Sequence, residues 1–482
     1  MASFPDEASP LTKKRHGLLC SPALKVRILT SIISLAEGYD IGVVNGAVIL
    51  FREDLKLTSW QVGIALCLFA FGVALAAPMA GSFTDWAGRK AAMALASVLL
   101  IVGGLTMACA MNFEMLIAGR LIAGCGAGTG LTAVTAYMAE VAPAEERGFY
   151  GSLEELLVNI GNVLGYLVNL ALLGMPYDWR WMLGLGIVPA ICVLTVLMLP
   201  YSVSGIPESP RYLHKAGRGD EARSVLLELL SDNAEVEKAL EEWQDEEDTM
   251  ATWVESLVAF GTTHRQAALA GIGCGIINMF TGIQLMMVTT TSLLVGTGMS
   301  KNQAMKVSIG LGATKALVML LVATLLLDRW GRRPLLQTSL GVCSLAAALG
   351  SVGAYFDWGE AWVIIGLFTF VSGYSFGVGP VPWVYMPEVL ESRFRSKGCA
   401  IGLSVARLCA VTQLFAFPVF FPLVGVEGLF LFLLIVNALS WAYVAALCLE
   451  TSGLSLEKIP SSFSNYSLMS SLGLGPSYSG KS

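Results

Sequence analysis

Two short basic segments at matching positions indicate that this chain is built from two related halves. The segments are Gly81–Lys90 and Thr324–Arg333, and a long apolar run lies on each side of both. Asp85 in the first segment and Asp328 in the second are 243 residues apart. Duplicated sets of apolar helices, with a basic turn at the same point of each set, are typical of membrane transporters built from repeats.

The composition indicates that the chain crosses a membrane many times. Of its 482 residues, 55% are hydrophobic and only 14% are charged, whereas about a quarter of the residues of a soluble domain are charged. Because an apolar helix of about 20 residues crosses a bilayer, the sequence predicts an all-α integral membrane protein with twelve transmembrane helices, called spans 1 to 12 below. They begin near Val26, Trp60, Ala91, Met115, Phe149, Trp181, Ala267, Gln303, Pro334, Ala361, Gly398 and Gly425.

The longest polar stretch falls between spans 6 and 7 and divides the chain into two halves. We predict an N-terminal segment at 1–25, a six-helix half at 26–201, a central loop with short helices at 202–265, a second six-helix half at 266–450 and a tail at 451–482. Lysine and arginine cluster before span 1 and after the even-numbered spans. Since basic loops stay on the cytoplasmic side, both termini and the central loop are expected to be cytoplasmic.

The sequence contains no recognisable catalytic or metal-binding pattern. The three histidines, His16, His214 and His264, all lie outside the predicted spans, which argues against a histidine-dependent hydrolase within the membrane. The ten cysteines form no CxxC pair and have no regular spacing, so neither a zinc site nor a disulfide framework is predicted. We therefore expect no metal and no enzymatic activity.

Three predicted spans are rich in residues that loosen helices. Span 1 contains Gly38, Gly42 and Gly46, span 7 contains four glycines, and span 10 contains three glycines and two prolines. Irregular backbone at membrane depth is tolerated where it is buried in protein or lines a cavity, so these spans are predicted to form cavity walls. The glycines at every second position from Gly124 to Gly130 in span 4 are instead predicted to let two helices pack closely.

Charged side chains within spans are costly and therefore mark functional sites. Span 1 carries two, Glu37 and Asp40. Asp40 is the stronger candidate for a functional role, because a carboxylate in a glycine-rich helix can exchange protons with a cavity. Arg120 in span 4 is predicted to be its partner. The alternative is a static buried ion pair, which adds little stability because desolvation offsets the attraction.

Five other side chains at membrane depth are possible ligand contacts. Glu154 and Glu155 are adjacent and point about 100° apart on a helix, so at most one is expected to face a cavity. Lys315 either snorkels to the interface or pairs with a carboxylate, and Arg407 suits hydrogen bonds to hydroxyl or carboxylate groups. Trp383 either stacks on the apolar face of a sugar or polyol, or is an interfacial tryptophan.

A series of short motifs occurs in order between about Val26 and Glu457. They are Gly38-Tyr39-Asp40-Ile41-Gly42, Asp85-x-x-Gly88-Arg89, Gly119-Arg120, Ala139-Glu140-Val141 with Arg147-Gly148, Pro207-Glu208-Ser209-Pro210-Arg211, Asp328-Arg329-x-Gly331-Arg332-Arg333, Gly379-Pro380-Val381-x-Trp383 and Glu450-Thr451-x-Gly453. In these motifs the chain resembles the sugar porters of the major facilitator superfamily. The stretches 147–166 and 314–334 look most like the plant-type polyol and monosaccharide proton symporters.

This resemblance implies a major facilitator fold and suggests roles for individual residues. In such proteins the aspartate matching Asp40 is the proton-coupling residue, and the arginine matching Arg120 is its partner. The residue matching Glu155 faces the substrate, and the tryptophan matching Trp383 lines the sugar site. Cytoplasmic charge networks that hold the outward-facing state are implied at Asp85/Arg89, Glu140/Arg147, Asp328/Arg332 and Glu388/Arg395.

Span 7 departs from the family pattern. Where sugar porters usually have paired glutamines and then an asparagine, this chain has Asn278-Met279 and then Gln284. Loss of the glutamine pair removes hydrogen bonds to ring hydroxyls and makes an ordinary hexose a poorer fit, with Asn162, Thr290 and Thr291 as candidate replacement contacts. The predicted substrate-binding residues are Glu155, Asn162, Asn278, Gln284, Trp383 and Arg407.

The residues and the resemblance together predict a proton-coupled symporter that carries a polyol or monosaccharide by alternating access of its two halves. The expected partners are that small molecule and membrane lipid, with the proton as coupling ion, no cofactor and no nucleic acid. A monomer in the plasma membrane is the family expectation. Two alternatives remain, a sugar uniporter with a structural Asp40–Arg120 pair and a non-transporting sugar sensor. The short predicted tail argues against the sensor, since such sensors usually signal through long cytoplasmic extensions.

Overall fold

The computed structural model describes residues 22–141, 147–199, 206–230, 236–237, 240, 252–325, 330–356, 358–451 and 463. Side chains are described for these residues except 22–31, 139, 147–153, 229–230, 323–325, 392 and 396. Every regular element in these ranges is helical. Most spans are long helices. Their sequences are continuously apolar, and a helix satisfies its own backbone hydrogen bonds, as a bilayer requires.

Spans 1 to 5 are the helices Pro22–Asp54, Ser59–Ala87, Arg89–Ala108, Phe113–Val141 and Arg147–Leu172. Span 6 consists of Asp178–Gly184 and Ile187–Met198, and span 7 of Arg265–Phe280 and Ile283–Gly296. Spans 8 and 9 are Lys301–Leu325 and Arg332–Tyr355, and span 10 consists of Glu360–Phe376 and Val381–Val389. Three shorter helices, Pro210–Lys215, Gly219–Leu230 and Trp253–Gly261, lie between the two sets of spans.

Spans 11 and 12 form one continuous run of helix, Ser392–Leu447, with a sharp kink. Within the described residues, eleven helical segments are long and apolar enough to cross a membrane, and the last of them covers 55 residues. About 20 residues cross a bilayer, so this last segment accounts for two spans. They divide at Gly425, whose positive φ of 66° only glycine adopts easily. The prediction of twelve transmembrane helices is therefore confirmed.

The glycines of span 1 allow it to pack tightly against span 5. A Cβ atom on Gly38 would lie 1.8 Å from the backbone oxygen of Val158, and one on Gly42 would lie 2.1 Å from that of Asn162. Span 1 is one unbroken helix, so the prediction that its glycines loosen it is wrong. Their role is close helix contact, which glycine permits because it has no side chain.

The glycines of span 4 pack closely as predicted, and spans 7 and 10 are interrupted at their glycines, while the role of these two spans as cavity walls stays a prediction. In span 4, a Cβ atom on Gly124 would lie 2.2 Å from the backbone oxygen of Phe69 in span 2, as expected of a packing glycine. Span 7 is interrupted between Phe280 and Ile283, where Gly282 has a φ of 92°. Span 10 is interrupted between its two helices, over residues 377–380. Both interruptions lie deep in the second half.

The ends of the spans define two opposite faces of the molecule, a basic face and a distal face. The basic face is the one at which spans 3 and 9 begin, with Arg89, Lys90, Arg332 and Arg333. The distal face is the opposite one, where span 1 ends at Asp54. The two halves meet where span 1 contacts span 7, span 2 contacts span 11 and span 5 contacts span 8.

Candidate transport site

Asp40 and Arg120 form a buried ion pair inside the first half. Arg120 Nη1 lies 2.7 Å from both carboxylate oxygens of Asp40, and its Nε donates to the backbone oxygen of Ala65 at 3.0 Å. The guanidinium also stacks over the ring of Phe69, 5.1 Å from its centroid. Only 12% of the Asp40 side chain and 4% of the Arg120 side chain are exposed. The contact predicted from sequence is thus present, and its role in proton coupling stays a prediction.

A second buried ion pair joins the two halves of the protein. Arg407 in span 11 donates from Nη2 to Glu37 Oε1 in span 1 at 2.6 Å. The side chains are 8% and 3% exposed. Arg407 Nε is buried and has no hydrogen-bond partner. Arg407 therefore already binds a carboxylate of the protein while keeping one donor unused, and its predicted contact with a substrate stays a prediction.

The neighbouring carboxylates of span 5 point to different partners. Glu155 Oε1 lies 3.9 Å from Lys315 Nζ in span 8, across the boundary between the halves. Glu154 accepts a hydrogen bond from Thr135 in span 4 at 3.2 Å, within the first half. Of the two alternatives for Lys315, the structure therefore shows pairing with a carboxylate. The divergence of the two glutamates agrees with their positions on a helix.

The predicted ligand contacts of spans 7 and 10 lie near the interrupted backbone. Asn278 donates from its amide nitrogen to the backbone oxygens of Val378 at 2.8 Å and Gly379 at 3.3 Å, which ties span 7 to the interruption in span 10. Its side-chain oxygen is buried without a partner. Trp383 is partly buried beside Met279 and two alanines of span 11. Gln284 is buried at the start of the second helix of span 7.

Three candidate replacement contacts are engaged in other ways. Thr291 hydrogen-bonds to Asn45 of span 1, and Thr290 donates to the backbone oxygen of Met286 within its own helix at 2.5 Å. Asn162 lies where span 5 packs on Gly42 of span 1. These positions fit helix contacts, although the side-chain oxygen of Asn162 is buried without a partner.

Hydrogen bonds also join the halves towards the distal face. Asn45 donates to the backbone oxygen of Met287 in span 7 at 2.5 Å. Tyr166 of span 5 donates to the same oxygen at 2.8 Å. Together with the Asn45–Thr291 contact, these bonds hold spans 1 and 5 against the second helix of span 7. We call this group, Asn45 and Tyr166 with Met287 and Thr291, the distal latch.

Arg89 is the centre of a charge network on the basic face of the first half. It donates to Glu140 at 2.6 Å and 2.8 Å and to Asp85 at 3.0 Å. Ser209 donates to the same Glu140 at 2.5 Å. Glu208 accepts the backbone N–H of Arg89 at 3.0 Å, at the first turn of span 3. A carboxylate at this position is favourable because the helix N-terminus carries partial positive charge.

The second half repeats this arrangement. Arg332 donates to Glu388 at 2.9 Å, and Thr451 donates to Glu388 at 2.6 Å. Glu450 accepts the backbone N–H groups of Arg332 at 2.9 Å and Arg333 at 3.0 Å, at the first turn of span 9. The described parts of the two networks therefore correspond residue by residue in the two halves.

The predicted pairings within these networks need correction. Glu388 contacts Arg332, whereas Arg395 donates to the backbone oxygen of Leu390 at 3.3 Å. The side chain of Arg147 and all of Asp328 lie outside the described residues. The described pairs lie within each half, and they coexist with a formed distal latch. Their predicted role in holding the outward-facing state stays a prediction.

Comparison with known proteins identifies the family. The family model described as "Sugar (and other) transporter" matches residues 26–463. Polyol transporter 5 of Arabidopsis thaliana is 32% identical over 488 residues, covering 95% of this chain and 88% of the relative. The glucose transporter GlcP of Staphylococcus epidermidis is 30% identical over 439 residues, covering 90% and 95%. The chain belongs to the sugar porter family of the major facilitator superfamily.

The fold of this sugar porter agrees with solved structures. The xylose transporter XylE from E. coli, in a partially occluded inward open conformation, aligns with a TM-score of 0.78 at 20% identity, covering 90% of this chain and 99% of that chain. The predicted major facilitator fold and the predicted family are thus confirmed. The sugar porter is a multi-pass membrane transporter and not an enzyme.

Three residues of the site were not predicted to act there. Glu208 and Glu450 were only part of quoted motifs, but they are 242 residues apart, close to the spacing of the other duplicated pairs. That spacing could have assigned both to the networks. Glu37 was recognised as a charge within span 1, but its pairing with Arg407, 370 residues away, has no local signal in the sequence.

Proposed function

We propose that this sugar porter is a proton-coupled symporter for a polyol. The observation that carries the proposal is the buried Asp40–Arg120 pair at membrane depth. A proton on the Asp40 carboxylate removes its negative charge and so weakens the pair with Arg120. Protonation of Asp40 therefore changes the contact between spans 1 and 4, which is what coupling of proton uptake to a rearrangement requires.

The chemistry of the unpartnered groups supports a substrate rich in hydroxyls. The side-chain oxygen of Asn278 is an unused acceptor, and Nε of Arg407 is an unused donor. A hydroxyl group can satisfy either one because it both donates and accepts. Several of the similar proteins are named polyol transporters, which favours a polyol over a monosaccharide.

The proposed cycle uses rocking of the two halves. A proton from outside binds Asp40 and weakens its ion pair with Arg120, and the halves close around the substrate. Release of the proton and the substrate inside restores the ion pair. We also propose that the basic face is cytoplasmic, because lysine and arginine concentrate there. The protein is proposed to act as a monomer in the plasma membrane, with the proton as its only coupling ion.

Uptake measurements in transport-deficient yeast test this proposal. Labelled sorbitol, mannitol, myo-inositol, xylose and glucose are supplied at acidic and neutral external pH, with and without a protonophore. We expect uptake of a polyol that rises at acidic pH and collapses with the protonophore. Uptake at the same rate with and without the protonophore would establish a uniporter. No uptake of any compound, with the protein shown at the cell surface, would contradict the proposed substrate class.

A further inference from the structure

Two ion pairs cross between the halves nearer to the basic face than the distal latch does. Glu37 lies eight residues before Asn45 of the distal latch along the helix Pro22–Asp54, which places it about 12 Å nearer to the end at which span 1 begins. Lys315 is closer to the basic-face end of Lys301–Leu325 than to its distal end. The pairs Glu37–Arg407 and Glu155–Lys315 therefore lie at a different depth from the distal latch.

A further contact crosses between the halves near the Glu155–Lys315 pair. One turn further along span 5, the amide nitrogen of Asn159 lies 3.2 Å from Met319 Sδ in span 8. Each ion pair takes its carboxylate from the first half and its cation from the second. The halves thus attract each other here, whereas Asp40–Arg120 and the basic-face networks each lie within a single half.

We propose that Glu37–Arg407 and Glu155–Lys315 form an inner latch that closes the path from the central site to the basic face. The inference rests on transport by alternating access of the two halves. Any rocking that opens the basic face has to separate spans 1 and 11 and spans 5 and 8, and so has to break both pairs. Glu37 and Arg407 are positioning residues in this scheme, since they set which face is open.

The location of Glu37 connects this latch to the proton site. Glu37 and Asp40 are three residues apart on one helix, so their side chains lie on neighbouring positions of the same face. Movement of span 1 that follows a change at Asp40 therefore also moves the carboxylate that holds Arg407. Breaking a buried pair by removing one partner is strongly unfavourable for the closed arrangement, because the other charge stays buried and unpaired.

Distance measurements between spin labels test the latch directly. Cysteines replace Trp86 and Trp330, exposed residues at the basic face of the first and second half, in a background whose ten native cysteines are replaced. A second label pair at Met111 and Phe356, both exposed at the distal face, reports on the other side. Electron–electron distances are recorded in lipid nanodiscs without substrate or proton gradient.

We expect Glu37→Gln and Arg407→Gln each to raise the ratio of long to short 86–330 distances at least tenfold, equivalent to about 1.4 kcal/mol. The 111–356 distances should stay unchanged, because the distal latch is intact. The double variant should shift the ratio no further than the larger single shift, because both changes remove one contact.

Glu154→Gln is the matched control. It neutralises a carboxylate of the same span that bears Glu155, but the bond of Glu154 to Thr135 lies within one half. The proposal is overturned if the Glu37 and Arg407 variants give the same distances as this control and the parent. Glu155→Gln, which breaks the second pair, serves as the test if neither of those variants is recovered as monodisperse protein. Because no substrate is present, failure of the polyol or proton-coupling proposals would leave these distances unaffected.

Discussion

At the scale of single residues, Asp40 is the group on which proton coupling depends. Asp40→Asn keeps the size of the side chain but removes its charge and its ability to take up a proton. We expect accumulation against a gradient to fall at least tenfold, while exchange of substrate between two equally loaded sides continues. The measurement compares pH-driven accumulation with equilibrium exchange in reconstituted vesicles.

The control for this prediction is Asp54→Asn at the distal end of the same helix. Asp54 bonds to Trp179 and Arg180 near the surface, so its neutralisation should leave both transport modes intact. Unchanged accumulation in Asp40→Asn would contradict coupling through this residue.

Of the ion pairs in the site, one could be predicted from the sequence and others could not. Asp40 and Arg120 could be paired in advance because each is a charge inside an apolar span and each belongs to a recognisable motif. The partner of Arg407 could not, because Glu37 belongs to the other half and only tertiary packing brings the two together. The pairing of Arg332 with Glu388 was missed for a similar reason. The family resemblance suggested Arg395, but the contact depends on how span 9 meets span 10.

At the scale of helices, the fit of span 1 against span 5 depends on glycines that carry no side chain. Gly42→Ala places a methyl group 2.1 Å from the backbone oxygen of Asn162, and this backbone cannot move without shifting the helix. We expect the free energy of unfolding to fall by about 1–3 kcal/mol, the usual cost of overpacking. Thermal unfolding of the purified protein in detergent measures the change.

Gly341→Ala is the matched control for this substitution. Gly341 lies inside the helix Arg332–Tyr355, and a Cβ atom there would meet nothing within 4 Å. Stability should be unchanged or slightly raised, because alanine favours the helix over glycine. Equal losses in the two variants would contradict the contact between spans 1 and 5 as the source of the cost. The sequence showed these glycines but not their neighbours, which explains why the expectation of a loosened span 1 was wrong.

At the scale of the whole molecule, the two halves are held together at two depths by different chemistry. Hydrogen bonds form the distal latch, with the exposed ion pair Glu53–Lys301 beyond it at the distal face. Ion pairs form the proposed inner latch. The twelve helices and their division into two sets were predictable, because the lengths of the apolar stretches and the duplicated motifs can be read directly from the sequence. The latches were not, since each joins residues of different halves whose proximity depends on the relative position of those halves.

Two latches on opposite sides of one central site should oppose each other. Asn45→Ala removes the bonds to Met287 and Thr291 and should raise the fraction of molecules open at the distal face. The apparent affinity for external substrate rises with that fraction, so KM for uptake should fall severalfold while the 111–356 distances lengthen. Asn169→Ala is the control. The Asn169 amide bonds to Gly42 within one half, so this substitution should change neither KM nor the 111–356 distances.

Combining Asn45→Ala with Glu37→Gln should lengthen both label distances. If Asn45→Ala instead lengthened only the 86–330 distances, the distal contacts would not close the distal face, and the arrangement of two opposed latches would be wrong.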